Sequence, residues 1–184
     1  DSNSTMAMFY SGLTVNNALV NTNSPVGEFQ IDGNFIQSDN SEVVAGFLDL
    51  NGTYNMTNGQ LYVGDQFING TFNQNGGTNT GAIVSGTNGD YNFFDGAING
   101  GVTLSPGVFQ QLGGTVSSQL TFLGGSYHLV NGLLLPGDLN IGALPVAVTF
   151  DTGGGFFLQS GGTNNPNSFS LALGTYYLSN GVLN

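Results

Sequence analysis

Apolar residues recur along this chain in short alternating runs that glycine, asparagine and threonine interrupt. Such runs occur at residues 61–63, 67–72 and 169–173. Alternation with a period of two is typical of β-strands, and glycine every few residues would break a helix of useful length. The pattern therefore predicts an all-β protein with short strands.

Two sequence phrases alternate at nearly fixed spacing. Copies of the phrase Tyr-x-apolar-x-Asn/Asp-Gly-x-apolar begin at Tyr54, Tyr91, Tyr127 and Tyr176. Copies of the phrase Phe-x-Gln-x-Gly-Gly-Thr begin at Phe72, Phe109 and Phe157, with an eroded copy at Phe35. A Tyr phrase and the Phe phrase that follows it lie about 18 residues apart, so the repeat is a pair of similar halves. A regular repeat of this kind indicates one structural unit stacked many times.

An 18-residue unit accommodates three short strands and three tight turns, which is one coil of a parallel β-solenoid, or β-helix. We expect two alternating coil types, one for each phrase, stacked at the ordinary strand spacing of about 4.8 Å. The Tyr, Leu and Phe positions should form inward ladders, with Asn-Gly and Gly-Gly at corners that need positive φ. A β-sandwich with similar hairpins is the alternative, but two phrases that keep their phase favour the solenoid.

The repeat divides the chain into two parts. Residues 31–184 form the predicted solenoid, and residues 1–30 form an N-terminal capping or assembly segment. Tyr127 and Phe157 are 30 residues apart instead of about 18. We therefore expect an inserted loop of about 12 residues near Leu139 to Gly155, on one face of the solenoid.

The charge balance excludes several functions. The chain has 11 acidic residues, one His and no Lys or Arg, for a formal net charge of −11. Without basic side chains it has nothing to neutralise phosphate, which argues against binding of nucleic acid or of anionic lipid surfaces. It has no Cys for disulfides or thiolate metal sites, and no apolar stretch of about 18 residues that could span a bilayer.

Composition favours an extracellular or cell-surface location. The chain begins at Asp1, which is consistent with a mature form after signal removal or with a cut fragment. Four Asn-x-Ser/Thr sequons provide possible glycosylation sites, at Asn3, Asn51, Asn55 and Asn69.

Three stretches carry a family resemblance. Residues 52–61, 70–79 and 174–183 read Gly-Thr-Tyr-Asn-Met-Thr-Asn-Gly-Gln-Leu, Gly-Thr-Phe-Asn-Gln-Asn-Gly-Gly-Thr-Asn and Gly-Thr-Tyr-Tyr-Leu-Ser-Asn-Gly-Val-Leu. They resemble the repeats of bacterial surface and secreted β-solenoid proteins of the autotransporter and sorted-exoprotein types. The resemblance covers about residues 30 to 184 and implies a secreted, right-handed parallel β-helix used as a stalk, adhesin or surface layer. The first 30 residues and the inserted loop depart from it.

Candidate catalytic groups are few. Asp90 and Asp95 lie five residues apart, and paired carboxylates are the pattern of a glycoside hydrolase. A second acidic group comprises Asp32, Asp39 and Glu42. Solvated turn acids account for both groups, and His128 stands at a variable position of its phrase, where we expect it to point outward. We therefore predict no catalytic residue, no cofactor and no enzymatic activity.

Calcium is the one metal with some support in the sequence. Asp65, Asp90 and Asp138 stand beside glycine-rich or carbonyl-rich corners, which supply the oxygen ligands that Ca²⁺ prefers. The glycine-rich nonapeptide of calcium β-rolls is missing, so Ca²⁺ is an alternative for which the sequence defines no ligand set.

The ends of the predicted solenoid indicate a structural function. The last phrase stops at Leu183 with its apolar pattern intact and no polar cap, and an apolar run near the start provides a matching strand. We expect the protein to pair head to tail with itself and form a filament or surface layer. The predicted interface comprises Met6, Met8, Phe9, Tyr10, Leu13, Val15, Tyr176, Leu178, Val182 and Leu183. The alternative is a monomeric adhesin or carbohydrate-binding stalk segment that binds surface glycans through exposed Tyr and Asn.

Overall fold

The computed structural model describes residues 5–8, 12–16, 19–21, 27–122, 124–141, 155–172 and 174–184. Strands are the only regular elements in these ranges, and all of them pair in parallel within one continuous sheet system. Each strand pairs with the equivalent strand of the next coil, so the chain winds as a parallel β-solenoid. The predicted fold class is confirmed.

Three faces make up each coil, and we name them A, B and C in chain order. Strands of face A are β1 (Thr5–Met8), β4 (Glu28–Ile31), β10 (Ala82–Ser85), β12 (Val102–Leu104), β15 (Leu120–Phe122), β18 (Asp138–Ile141) and β21 (Ser168–Leu171). Strands of face B are β2 (Gly12–Asn16), β5 (Asn34–Ser38), β7 (Thr53–Met56), β13 (Val108–Gln111), β16 (Ser126–Leu129), β19 (Phe156–Gln159) and β22 (Thr175–Leu178). Strands of face C are β3 (Leu19–Asn21), β14 (Thr115–Val116), β17 (Leu133–Leu134), β20 (Thr163–Asn164) and β23 (Val182–Leu183).

Four longer strands run across a corner and serve two faces. β6 (Glu42–Leu50) and β8 (Gln60–Ile68) begin on face C and continue on face A. β9 (Thr71–Asn79) and β11 (Asp90–Ile98) begin on face B and continue on face C.

An aromatic ladder runs through the core along face B. The Tyr and Phe that open the two phrases are register partners in consecutive coils, 18 or 19 residues apart in most of the chain. From Tyr54 to Tyr176 the ring centroids are 4.5 to 5.1 Å apart and the ring planes differ by 14° or less. This distance is set by the strand spacing, so backbone pairing and ring stacking support each other.

Glycines at one corner have backbone conformations that other residues rarely adopt. Gly96, in the Asp-Gly of its Tyr phrase, has a φ of 103°, and a Cβ there would lie 2.4 Å from the carbonyl oxygen of Gly77. The equivalent glycines with positive φ are Gly59, Gly77, Gly114, Gly132, Gly162 and Gly181. The predicted placement of Asn-Gly and Gly-Gly at corners is confirmed. In the eroded copy, Asp39 adopts a φ of 54° at the equivalent turn.

The first three strands continue the same faces. β1 pairs with β4, β2 with β5 and β3 with β6, each in parallel. Their capping or assembly role within residues 1–30 stays a prediction. Of the predicted inserted loop, the first residues lie in β18, and residues 142–154 lie outside the described part of the chain. The stack continues beyond it, because β16 pairs directly with β19.

Candidate functional site

Buried tyrosine–glutamine pairs connect consecutive coils inside the core. The Tyr54 hydroxyl donates to Oε1 of Gln37 at 2.6 Å, and Tyr91 donates to Gln74 at the same distance. The remaining pairs of this kind are Tyr127 with Gln111 and Tyr176 with Gln159. In each pair the glutamine belongs to the Phe phrase of the preceding coil. The two phrases therefore alternate because a Tyr coil needs a Gln coil beneath it.

The amide nitrogen of each of these glutamine side chains donates hydrogen bonds to backbone carbonyls. Nε2 of Gln37 donates to the carbonyl of Ser41 in its own coil at 3.0 Å and to that of Gln60 in the next at 2.9 Å. Gln159 bonds equivalently to the carbonyls of Gly162 and Val182. Because buried polar groups are costly when unpaired, each glutamine joins coils with a complete set of partners.

Burial changes the acidity of the ladder tyrosines. Burial raises the pKa of the Tyr54 and Tyr127 phenols well above the ordinary value, and the nearby Tyr91 phenol adds to the increase. Burial also raises the pKa of Tyr91, and the hydrogen bond from Asn79 partly opposes that increase. These phenols are neutral hydrogen-bond donors at physiological pH and have a structural role.

The strands β21, β22 and β23 form an open end of the core, which we call the C-terminal edge. Phe169 and Leu171 are 44% and 46% exposed, whereas their register partners one coil below, Leu139 and Ile141, are at most 1% exposed. Leu178 and Leu183 are likewise exposed above buried partners. Among the described residues, no further strand pairs with β21, β22 or β23 on this side. The edge therefore presents apolar core positions together with open backbone groups of three strands.

The predicted interface residues at this end fall into two groups. Tyr176, Leu178 and Leu183 occupy columns whose lower members are buried core residues. Val182 instead continues a partly exposed column through Leu133 and Thr163. Sequence reasoning missed Phe169 and Leu171, although the alternating run at 169–173 contained the signal.

The strands β1, β2 and β3 form the opposite end, which we call the N-terminal edge. Through β4, Met6 and Met8 stand in the columns of Phe29 and Ile31. Through β5, Leu13 and Val15 stand in the columns of Phe35 and Gln37. The predicted interface residues Phe9 and Tyr10 lie outside the described residues. Val20, which was not predicted, is partly buried and packs against the core.

Charged residues are absent from both edges. No Asp, Glu, Lys, Arg or His occurs at residues 2–27 or 152–184. All acidic residues except Asp1 fall between Glu28 and Asp151. The negative charge is therefore confined to the middle of the sequence and to its first residue.

The candidate acids are distributed as separate surface groups. Asp138 accepts hydrogen bonds from Gln119 in the coil below and from Ser168 in the coil above. Asp32 accepts from Gln30 at 3.0 Å and from Asn51 at 3.1 Å. Within the described ranges, no three His, Asp or Glu residues lie close enough together to hold a metal ion.

Each of the remaining candidate acids stands at a different position in the stack. Asp65 stands on face A between Phe47 and Ala82, and Asp90 stands on face B beside Thr71. Asp95 lies at a register irregularity of β11 and accepts from its neighbour's backbone N–H, that of Gly96. Asp39 forms the corner turn described above, and Glu42 opens β6.

His128 lies on face B in the column between Gln110 and Leu158. It is partly exposed, and its Nε2 forms a hydrogen bond of 2.8 Å with the hydroxyl of Ser160. This contact joins two neighbouring coils at the surface.

A ladder of asparagine side chains crosses several coils on face B. Asn55 donates to Asn34, Asn73 donates to Asn55 and Asn92 donates to Asn73, at 2.9 to 3.0 Å. The sequon residue Asn55 therefore uses both its amide nitrogen and its amide oxygen within the ladder. Of the other sequon residues, Asn51 is exposed, Asn69 is partly exposed and Asn3 lies outside the described residues.

A shallow surface groove of about 230 Å³ lies where face A turns into face B. It is lined by Thr87, Pro106, Gly107, Val108, Gly124, Gly125, Ser126 and Phe156. Phe156 is 40% exposed, and the hydroxyl-bearing residues Thr87 and Ser126 line the same groove.

The fold defines the chain as a parallel β-solenoid with two alternating coil types. No family model, no curated protein and no solved structure matches it. In the described part of the chain, no helix is long and apolar enough to span a membrane.

Proposed function

We propose that this protein is an extracellular structural subunit that self-assembles head to tail through its solenoid ends into a filament or surface layer. The observation that carries the proposal is the C-terminal edge. Its apolar positions Phe169, Leu171 and Leu178 are 44 to 46% exposed, although equivalent positions one coil below are fully buried or nearly so. A second copy stacked on this edge would cover them and pair the open strands.

The role that we propose is structural and not enzymatic. Two features support it: the tyrosine–glutamine pairs and the asparagine ladder both connect coil to coil along the axis. The hydrogen bonds of these side chains thus hold the stack together. The composition, without Lys, Arg or Cys, supports a location outside the cell.

The test compares two variants that each add one carboxylate. Leu171→Asp places the charge on the C-terminal edge, and Ser117→Asp places it on the exposed side of the rod. We expect filaments by electron microscopy and sedimentation for the unmodified protein and for Ser117→Asp, but short rods for Leu171→Asp. Short rods from all three proteins would refute self-assembly. Filaments of equal length from all three proteins would show that the subunits do not meet at the C-terminal edge.

A monomeric adhesin or carbohydrate-binding stalk segment is the second candidate. The groove beside Phe156 favours it, because an exposed aromatic ring and neighbouring hydroxyls are suited to stacking on and hydrogen bonding to a sugar. Titration calorimetry with neutral oligosaccharides tests it. We expect Phe156→Ala to abolish binding and Tyr62→Ala, which removes an exposed ring outside the groove, to retain it.

A further inference from the structure

The two edges of the solenoid present the same three faces in the same order. The strands of the N-terminal edge begin at Thr5, Gly12 and Leu19. Those of the C-terminal edge begin at Ser168, Thr175 and Val182. The register of the intervening coils places each N-terminal edge strand in the same columns as its C-terminal counterpart. This holds on face A, on face B and on face C.

The corners of the two edge coils also have matching lengths. Strand starts follow one another at intervals of seven residues in both coils, so all three column pairs are separated by 163 residues. The neighbouring coil differs, because β5 begins six residues after β4 and β6 begins eight residues after β5. A single register therefore aligns all three faces of the two edges at once, because the corners of the two coils have the same length.

We propose that the C-terminal edge of one copy pairs in parallel with the N-terminal edge of a second copy in this register. Ser168 then lies opposite Thr5, Thr175 opposite Gly12 and Val182 opposite Leu19. The inference rests on the proposed self-assembly and specifies its joint. The joint repeats the parallel pairing found between coils, so it is a heterologous contact that propagates as an open filament.

The columns that meet at the joint are chemically matched. The sequence places apolar residues at both ends of the core columns, with the pairs Phe169 and Met6, Leu171 and Met8, Tyr176 and Leu13, Leu178 and Val15, and Leu183 and Val20. The Tyr176 hydroxyl already donates to Gln159 in the coil below. The column of Val15 and Leu178 has no glutamine at either edge, so no buried amide needs a partner at the joint. Gln37 stands in the same column and does need such a partner in its own coil.

Strand lengths favour this arrangement over rotated ones. In register, the two-residue β23 meets the three-residue β3, whereas a rotation by one face places it on the four-residue β1 or the five-residue β2. The strands of both edges lack Asp, Glu, Lys, Arg and His, so the strands that meet carry no like charges at neutral pH.

Cysteine cross-linking between two variants tests the register, because the chain has no cysteine of its own. Ser170→Cys is placed on one protein and Ala7→Cys on the other, at positions that share a column. Parallel neighbours at about 4.8 Å lie within the Cα separation that a disulfide accepts. The two proteins are mixed under reducing conditions, allowed to assemble, oxidised and analysed by non-reducing electrophoresis.

Two control partners for Ser170→Cys report the alternatives. Thr5→Cys detects a joint shifted by two residues, and Thr14→Cys detects a joint rotated by one face. We expect the Ala7→Cys mixture to form dimers at least tenfold faster than either control. If filaments form but a control cross-links faster, the register is wrong while the proposed self-assembly stands. If no filament and no cross-link forms, the self-assembly itself is wrong.

Electron cryomicroscopy of filaments from the unmodified protein provides a second measurement that does not depend on the variants. Coil spacing that continues unchanged through the joint, with the three faces aligned, supports the proposal. A rotation between copies, or a gap wider than one strand spacing, overturns it.

Discussion

The Tyr54 hydroxyl donates a hydrogen bond of 2.6 Å to Oε1 of Gln37, which precedes it by 17 residues and one coil. The Gln37 side chain in turn donates to the carbonyls of Ser41 and Gln60, so one buried amide connects two consecutive coils. The same relationship recurs at each Tyr phrase. It gives the alternation of phrases a physical cause and also sets the order of coils, because the acceptor always lies in the preceding coil.

Tyr54→Phe tests the value of this bond. It removes the hydroxyl and leaves Oε1 of the buried Gln37 without its partner. We expect a loss of about 1–3 kcal/mol in the free energy of unfolding, because a buried acceptor is left unsatisfied. Chemical denaturation followed by circular dichroism provides the measurement, and an unchanged midpoint would show that the pair contributes nothing.

The opposite change, Phe72→Tyr, is the matched control. It adds a hydroxyl to a coil whose predecessor has Met56, not a glutamine, in the equivalent column. We expect this addition to destabilise the protein by a similar amount, because the buried hydroxyl finds no acceptor. Adding Met56→Gln should recover part of the loss.

The sequence predicted the coil, the inward aromatic ladder and the glycine corners, because phrase spacing and glycine conformation are local signals. It did not reveal the role of Gln37 and its equivalents, although the glutamine is part of the phrase. That role depends on which coil lies beneath which. A repeat period shows that units stack but does not show which neighbour supplies the acceptor. The exposure of Phe169 and Leu171 likewise depends on their position in the stack.

Asn164 is a buried residue with an incomplete set of partners, and we expect its replacement to stabilise the protein. Its Nδ2 donates to Tyr176, but its Oδ1 has no hydrogen-bond partner among the described residues. Above and below it, the column holds Leu183 and Leu134. Asn164→Val should therefore raise the free energy of unfolding by about 1 kcal/mol, as removal of an unsatisfied buried polar group does. Thermal denaturation followed by circular dichroism measures it.

The matched control is Asn79, which occupies the same column with its partners complete. Its side chain exchanges hydrogen bonds with Gln66 at 2.6 and 3.0 Å and accepts from the backbone N–H of Gly81. At Asn164 the equivalent positions hold Leu139 and Pro166, and proline has no N–H. Asn79→Val should destabilise the protein, since it orphans Gln66. Equal losses from both variants would contradict this explanation.

The buried tyrosines predict a steep loss of stability in alkali. Burial raises the pKa of Tyr54, Tyr91 and Tyr127 in the folded protein above the unfolded value of about 10. The folded state then holds protons that the unfolded state releases, so this contribution is complete below pH 10 and declines as pH rises above it. Above pH 10, each buried phenol lowers the free energy of unfolding by about 1.4 kcal/mol per pH unit, and three of them lower it by roughly 4 kcal/mol per unit.

Denaturation midpoints between pH 9 and pH 12 measure this dependence, with phenolate absorbance recorded in parallel. The buried phenols should ionise together with unfolding. Tyr91→Phe, which removes one of the three buried phenols, should reduce the slope by about a third. A stability that stays flat from pH 10 to pH 12 would contradict the assignment.

Gly96→Ala tests the corner conformation. A Cβ at Gly96 would lie 2.4 Å from the Gly77 carbonyl oxygen, and its φ of 103° strains any other residue. We expect a loss of at least about 2 kcal/mol in the free energy of unfolding. Gly101→Ala is the control, because the nearest atom to its Cβ would be 4.0 Å away. Similar midpoints for the two variants in chemical denaturation would exclude a special role for the corner.

The position of the charges predicts that lateral bundling and elongation respond differently to solution conditions. The formal net charge is −11, and the described edges contain none of the acidic residues. Neighbouring filaments should therefore repel along their sides while the end-to-end joint remains uncharged. We expect millimolar Ca²⁺, added salt or acidification to thicken filaments into bundles, because each reduces the repulsion. Filament length at fixed protein concentration should change little.

Light scattering combined with electron microscopy separates filament width from filament length. Bundling that ignores all three conditions, or subunit joining that depends strongly on them, would contradict the uncharged joint.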